Sequence, residues 1–280
     1  MKALSNSFSH INLDKRENKT GDEWFKPSKL DEILESKPRF VETYDDLVKD
    51  VAQILHRHRN LSLFYRGQNA DYKENKKTVI LPSIYRKKNE ETKLFVKKNF
   101  VVLERATFEL NKLFSSHYFT GRNLLKRYPE IAWSLLQHYE ICATPLLDLT
   151  QSLHVACSFA FDRNNNDTGI VYLIGMPWQM DAIGYNSYEE IVNIKLLCVC
   201  PPRAQRPFFQ EGYLAGPFPN YRLDDSTRVE QFDFGRRLIA KFEFPRENGF
   251  WGKGFSMIPV DKLYQPDDKI KKLCDQIVLQ

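Results

Sequence analysis

Hydrophobic and polar positions recur with two different periods along the chain. Between residues 44 and 56, Leu47, Val51 and Ile54 recur at the spacing of one helical face. Residues 237–244 alternate instead, as a strand with one buried face does. Further helices are predicted at 90–114, 131–139, 153–161 and 269–278, and further strands at 39–42, 61–65, 169–174 and 194–199. This order predicts an α+β fold with helices in the first half and strands in the second.

The longest predicted helix, at 90–114, is expected to bury a row of large apolar side chains: Phe95, Phe100, Leu103, Phe108, Leu110 and Leu113. Residues 1–36 are polar and show little periodicity, so they are predicted to be an N-terminal extension of one domain covering 37–280. The extension lacks the apolar core of a signal peptide. No stretch approaches the ~20 apolar residues of a membrane span. A cytoplasmic location without a membrane partner is therefore expected.

Composition agrees with a globular chain, because 42% of the 280 residues are hydrophobic and 28% are charged. The formal net charge of +5 permits a polyanionic partner without requiring one. The five cysteines are odd in number, and Cys142 and Cys157 stand in apolar runs, which predicts free thiols of a reducing compartment. The six histidines are scattered, so no metal site is expected.

The first candidate for chemistry is Arg66, in the run Phe64-Tyr65-Arg66-Gly67-Gln68 at the end of an apolar strand. Arginine presents a planar fork that suits phosphate or carboxylate. The glycine after it would let the backbone approach a ligand closely. The alternative is a surface arginine paired with a nearby carboxylate, and this cluster alone does not separate the two.

The second candidate lies around Asp148, which stands between apolar neighbours and is expected to be partly buried. Thr150 or Ser152 could cap the helix that begins near residue 153. Alternatively, Asp148 and Thr150 would stand beside a ligand at the N-terminus of that helix, where anions are favoured. His138 could act as an acid or base, but a structural hydrogen bond to Asp148 is the simpler interpretation.

A third cluster places Gln210 and Glu211 in an aromatic setting before Gly212. It can be an ordinary turn with two exposed polar residues, or a loop that brings an amide and a carboxylate to a site. The sequence contains no phosphate-binding loop, dinucleotide-binding pattern or zinc-hydrolase pattern.

These clusters together resemble the FRG domain, whose phenylalanine-arginine-glycine signature is similar to Phe64-Tyr65-Arg66-Gly67-Gln68. The other matching segments are Leu81-Pro82-Ser83 with Arg86, Gln137-His138-Tyr139, Leu146-Leu147-Asp148 with Thr150, and Gln210, Gly212 and Tyr213. The chain departs from the family pattern at Glu140, usually glycine, at Pro145, usually arginine, and at Leu149, where tryptophan is common. The family occurs in bacterial and phage-related genomes near defence or toxin-like genes, which implies a toxin or phage-defence role.

A more distant resemblance is to ADP-ribosyltransferases of the arginine–serine–glutamate type. Tyr65-Arg66-Gly67 resembles their first element, Thr150-Gln151-Ser152 with the following helix resembles the second, and Gln210-Glu211 falls where the third belongs. The resemblance implies a helical first half packed on a split, mostly antiparallel sheet. It also implies NAD as co-substrate, cleavage of the nicotinamide–ribose bond through a cationic sugar, and a protein or nucleic-acid acceptor.

Under this resemblance the catalytic residues would be Arg66, Thr150, Gln210 and Glu211. Further ligand contacts would come from Gly67, Gln68, His138, Tyr139, Asp148 and Ser152. Arg66 would hold the pyrophosphate or ribose. Glu211 or Gln210 would bond the ribose 2′-hydroxyl, which a carboxylate does better than an amide because it opposes the developing positive charge.

Two other functions stay open. A non-catalytic nucleotide or nucleic-acid binding module would use a phosphate-facing surface of Lys76, Lys77, Lys87, Lys88, Lys97 and Lys98. A nuclease or other hydrolase would use His138 and Asp148, but the sequence does not supply the metal-binding carboxylate cluster that most nucleases need.

Overall fold

The computed structural model describes residues 1–4, 10–11, 27–28, 30–86, 92–117, 122–201, 203–223 and 227–279. The α-helices in these residues are α1 (Leu30–Glu35), α2 (Tyr44–Arg57), α3 (Thr92–Ser116), α4 (Arg122–Arg127), α5 (Pro129–His138), α6 (Leu153–Phe159), α7 (Leu196–Val199), α8 (Arg206–Phe209), α9 (Asn248–Trp251), α10 (Val260–Tyr264) and α11 (Lys269–Cys274). The strands are β1 (His10–Ile11), β2 (Pro27–Ser28), β3 (Arg39–Phe40), β4 (Ser62–Gln68), β5 (Lys73–Glu74), β6 (Lys77–Thr78), β7 (Leu147–Thr150), β8 (Thr168–Met176), β9 (Ile183–Asn186), β10 (Ile191–Lys195), β11 (Gly212–Pro217) and β12 (Leu238–Pro245).

Eight of these strands form one sheet, in the order β3-β12-β8-β4-β7-β11-β10-β9. Neighbouring strands are antiparallel except β3 and β12, which run parallel. The prediction of a mixed helix-and-strand fold with a mostly antiparallel sheet is confirmed. The expected division into a helical first half and a stranded second half is only partly right, because the central strands β4 and β7 precede residue 151.

Strand pairing in this sheet is shortest at its centre, between β4 and β7. Strand β4 pairs with β8 along its whole length, from Ser62 to Gln68, and β7 pairs with β11 from Leu147 to Thr150. Between β4 and β7 the register contains one residue pair, Tyr65 with Thr150. The two halves of the sheet therefore remain joined, but β4 and β7 separate beyond this pair and leave room between their ends.

Alternation along β4 distributes its side chains between two hydrophobic clusters. Leu63 and Tyr65 pack with residues of α2 and α6, whereas Phe64 packs on the other face with residues of β7 and β8. A third cluster joins α3 and α5 to β10 and β11. The strand is thus fixed on both faces, and this fixes the position of Arg66 near its end.

Several local predictions need correction. Phe108 is 67% exposed, because the buried face of α3 runs through Val96, Phe100, Leu103, Ala106, Leu110 and Phe114. The predicted strand 194–199 is wrong beyond residue 195, where α7 begins. The four-residue strand β7 was not predicted. Within the N-terminal extension, Ile33 and Leu34 of α1 are buried in the fold, while residues 5–9, 12–26 and 29 lie outside the described residues, as do Lys87 and Lys88.

In the described residues, no helix combines the length and the apolar character that crossing a membrane requires.

Candidate functional site

A cavity of about 470 Å³ lies where β4 and β7 separate. This volume is within the usual range of small-molecule sites, about 300–1,000 Å³. Its walls come from the end of β4, from β7, from the end of α5 and from α6. Arg66, Gln68, His138, Asp148, Thr150 and Gln210 all contribute to the lining. Residues far apart in the sequence are therefore brought together at the weak point of the sheet.

Arg66 is held in place at the end of β4 by two acceptors. Its Nη1 donates to the backbone oxygen of Asp148 at 2.7 Å. In the amide orientation that satisfies both side chains, the oxygen of Gln68 accepts from Nε at 2.6 Å and from Nη2 at 2.9 Å. Because a guanidinium has five N–H donors, two remain for a ligand once these three bonds to described residues are made.

The charge of Arg66 is only partly compensated. Burial, then the nearby charge of Arg86, lowers the pKa of Arg66 to about 10, although the Asp148 carboxylate acts in the opposite direction. The guanidinium is still protonated at neutral pH. An anionic group entering the cavity would relieve this unfavourable environment, which is the electrostatic character of an anion-binding residue.

Asp148 presents a carboxylate to the cavity, with its side chain 40% exposed. Oδ2 accepts a hydrogen bond from Nε2 of Gln137 at 2.7 Å, and Oδ1 lies 3.5 Å from Nδ1 of His138. Burial raises the pKa of Asp148, but His138, Arg66 and the Gln137 hydrogen bond outweigh it and hold the pKa below its ordinary value. The carboxylate is therefore ionised at neutral pH.

His138 borders the cavity but is almost enclosed, with 3% of its side chain exposed. Its Nδ1 faces Asp148, while Nε2 is buried and makes no hydrogen bond in the described part of the chain. Its backbone oxygen accepts from Nη1 of Arg206 at 2.9 Å. This geometry favours a structural role beside Asp148 over proton exchange with a ligand, because the second ring nitrogen is shielded.

Gly67 lines the cavity and also makes room for the packing of α6. A methyl group at this position would lie 1.8 Å from the backbone oxygen of Ala156 and 2.8 Å from the backbone nitrogen of Ala160. Helix α6 therefore crosses β4 at a distance that only glycine allows. The close crossing brings Ala156 and Phe159 to the cavity wall.

Thr150 and Ser152 have separate tasks, although they are two residues apart. Thr150 lines the cavity, and its Oγ1 accepts from the backbone nitrogen of Ser152 at 3.0 Å. Ser152 is the N-cap of α6, with its Oγ accepting from the backbone nitrogen of Val155 at 3.4 Å. Ser152 is outside the cavity lining. The helix N-terminus is thus satisfied by its own cap, so the expectation of a ligand there finds no support.

Gln210 and Glu211 also diverge. Gln210 is buried beside the cavity, and its Nε2 donates to the backbone oxygen of Leu263 at 2.8 Å. Glu211 has a left-handed backbone, with φ at 45°, and its side chain is exposed and outside the cavity lining. Of the two residues predicted for the third position, the turn between α8 and β11 therefore brings the amide of Gln210 to the cavity and leaves the carboxylate of Glu211 outside it.

Tyr139 lies behind the cavity instead of in its wall. It is fully buried, and its hydroxyl donates to Oδ2 of Asp268 at 2.9 Å. The guanidinium of Arg206 lies 5.2 Å from the centroid of its ring. The predicted ligand contact of Tyr139 is therefore not available in this structure, because its hydroxyl bonds Asp268 and its ring faces Arg206.

The cavity lining also contains five residues that were not predicted as site residues: Glu140, Phe159, Asp162, Arg163 and Tyr264. Arg163 pairs with Glu140 at 2.9 Å, and its guanidinium lies 4.8 Å from the centroid of the Tyr264 ring. The hydroxyl of Tyr264 donates to Asp162. Glu140 has φ at 59°, a left-handed backbone conformation that glycine adopts without strain. In the sequence, only its departure from the FRG pattern drew attention to this position.

No group of three or more histidine, cysteine, aspartate or glutamate side chains in the described residues could hold a metal ion.

In the comparison with protein families, the model of the FRG domain family matches residues 62–169 of this chain. The matched segment contains Arg66, Ser83, Gln137 and Asp148, and is shorter than the predicted domain of 37–280. Comparison with curated proteins and with solved structures gave no match. The resemblance to ADP-ribosyltransferases therefore stays a prediction.

Proposed function

We propose that the cavity binds NAD and that the protein is an ADP-ribosyltransferase-like enzyme, which cleaves the nicotinamide–ribose bond and transfers ADP-ribose to a protein or nucleic-acid acceptor. The observation that supports this proposal is the meeting of Arg66, Thr150 and Gln210 in one cavity. They come from three distant parts of the chain, and each stands in a segment that resembles one element of these enzymes.

The chemistry of the cavity fits a dinucleotide in three respects. The two remaining N–H groups of Arg66 suit a phosphate oxygen. Phe159 and Tyr264, whose ring centroids lie 6.0 Å apart, offer an aromatic wall for a planar base. The ionised Asp148 suits the positive charge that grows on the ribose as its bond to nicotinamide breaks.

A second function, nucleotide binding without turnover, is favoured by one specific observation. The third predicted position presents Gln210, whose amide is already bonded to Leu263, and an amide opposes developing positive charge less well than a carboxylate. The two functions differ in their products but share the same ligand, so one experiment addresses both.

The experiment combines calorimetric titration of the protein with NAD and chromatographic detection of free nicotinamide. Binding followed by nicotinamide release, with label from NAD appearing on an acceptor in lysate, supports the transferase. Binding without release supports the binding module, and absence of binding excludes both.

Two arginine variants connect the ligand to the cavity. Arg66→Lys keeps the charge but loses the planar fork, and we expect NAD affinity to fall by about tenfold or more, equivalent to about 1.4 kcal/mol. The matched control is Arg105→Lys, on the exposed face of α3 and outside the cavity lining, which should bind NAD as the wild type does. If both variants bind NAD with equal affinity, Arg66 does not contribute to NAD binding.

A further inference from the structure

Two side chains at the end of α5, those of Gln137 and His138, face the carboxylate of Asp148. Three carboxylates contribute to the lining: Glu140, Asp148 and Asp162. Glu140 is paired with Arg163, and Asp162 accepts from Tyr264. Asp148 lies on β7, where its backbone oxygen binds Arg66 and its side chain, 40% exposed, faces the cavity.

The side chain of Gln137 determines how Asp148 is presented. Its Oε1 accepts from the hydroxyl of Ser83 at 3.0 Å and from the hydroxyl of Thr144 at 2.8 Å. Each hydroxyl oxygen already accepts a backbone N–H: Ser83 from Thr144 at 3.0 Å, and Thr144 from Leu146 at 3.2 Å. The hydroxyl protons can therefore point at Gln137 and place its oxygen on their side, although the Ser83 hydroxyl also lies 3.4 Å from a second acceptor, the backbone oxygen of Thr144.

The orientation of the Gln137 amide determines which of its atoms faces Asp148. With the oxygen of Gln137 fixed toward the two hydroxyls, its Nε2 must donate to Oδ2 of Asp148, at 2.7 Å. An N–H donor in this position favours an acceptor, and hence the ionised carboxylate. Ser83, Thr144, Gln137 and Asp148 thus form a relay of hydrogen bonds with a fixed direction. Each of its members lies within the segment matched by the FRG domain family.

We propose that Asp148 is the catalytic carboxylate of this cavity, and that Gln137, Ser83 and Thr144 are positioning residues that hold it in place. The proposal rests on the proposed NAD-cleaving function. The catalytic carboxylate is therefore assigned to strand β7 and not to the late loop, because Gln210 is bonded to Leu263 and Glu211 is exposed.

In the reaction, the bond between the ribose carbon and the nicotinamide nitrogen breaks, and its electron pair goes to nicotinamide. The positive charge left on the sugar is opposed by Asp148. A nucleophilic oxygen or nitrogen of the acceptor then bonds to the ribose carbon, and its proton leaves to water. Asp148 stays ionised throughout, in agreement with the pKa held below its ordinary value.

Three substitutions that exchange a carboxylate and an amide test whether the catalytic carboxylate is Asp148 or belongs to the late loop. They are Asp148→Asn, Glu211→Gln and Gln210→Glu. We expect Asp148→Asn to lower the rate constant of nicotinamide release by about 10²–10³, with NAD affinity within about fivefold of wild type, equivalent to about 1 kcal/mol. Glu211→Gln, the matched control, should leave the rate unchanged, and Gln210→Glu should not raise it. A full rate in Asp148→Asn, or a rate gain in Gln210→Glu, would overturn the assignment.

The hydrogen-bond relay can be tested without measuring turnover, by titrating the Asp148 carboxyl with carbon NMR in the full chain. In the wild type its pKa should lie below the ordinary 3.8. Ser83→Ala should raise it and slow nicotinamide release, and Ser83→Thr, which keeps the hydroxyl, should restore both. An Asp148 pKa that does not respond to Ser83→Ala would overturn the relay. If the wild type releases no nicotinamide, the proposed function and the catalytic role both fail, while the titration still decides the relay.

Discussion

An alanine at position 67 has no space for its methyl group, because α6 crosses β4 at this residue. The added carbon would lie 1.8 Å from the backbone oxygen of Ala156, and two further backbone atoms would lie within 3.0 Å. Bringing the shortest contact to 3.0 Å requires the two backbones to separate by about 1.2 Å, the difference between these distances. No side-chain rotation can supply this room, since the obstacle is main chain.

The energetic cost follows from the type of obstacle. Overpacking costs about 1–3 kcal/mol where neighbouring side chains can rearrange, and here the whole helix must withdraw. We therefore expect Gly67→Ala to lower the free energy of unfolding by about 3 kcal/mol or more. For a chain of this size, that loss corresponds to a melting temperature lower by about 6–12 °C.

Urea unfolding followed by tryptophan fluorescence measures the effect, with Gly249→Ala as the matched control. No atom lies within 4 Å of a methyl group at position 249 in α9, so this variant should match the wild type or be up to about 1 kcal/mol more stable. If Gly67→Ala unfolds within about 1 kcal/mol of wild type but no longer binds NAD, then Gly67 serves a ligand and the packing argument is refuted.

Two further predictions concern the carboxylates of Asp268 and Asp148. Asp268→Asn should cost about 3 kcal/mol in urea unfolding, because Asp268 is fully buried and accepts from Tyr139, Gln205, Arg206, Ile270 and Lys271; a change under about 1 kcal/mol would contradict this. Since the folded-state pKa of Asp148 is lowered, its stabilising contribution is present above the unfolded pKa of about 4 and is lost as the pH falls through the folded-state value. The stability difference between wild type and Asp148→Asn should therefore shrink below about pH 4, and a difference that stays constant down to pH 2 would count against it.

Local pattern predicts elements well where a buried face is long enough to show its period. Strand β4 and helix α2 were predictable for this reason, although Arg66 was expected to follow the strand and instead lies within β4, which extends to Gln68. Strand β7 has four residues, Leu147-Asp148-Leu149-Thr150, which is too short for alternation to separate it from a loop. Because β7 was not predicted, the separation of β4 and β7, where the cavity lies, could not be predicted either.

Contacts between distant segments could not be predicted from local pattern. His138 and Tyr139 are consecutive, yet one borders the cavity and the other is buried against Asp268. Gln210 and Glu211 diverge in the same way, because a left-handed residue turns the chain between α8 and β11. In each pair the residue types suit a ligand equally well, and only the backbone direction decides which side chain enters the cavity.

The arrangement of the cavity divides its functions between two parts of the chain. Arg66, Gln137 and Asp148 lie in the segment matched by the FRG domain family, whereas Gln210 and Tyr264 lie beyond it. The matched segment thus carries Arg66, Asp148 and one aromatic ring of the wall, Phe159, and the following segment adds the amide of Gln210 and the ring of Tyr264. Under the proposed function, substitution of Asp148 should lower turnover and substitution of Arg66 should lower NAD affinity, whereas substitution of Gln210 or Tyr264 should affect which ligand is accepted.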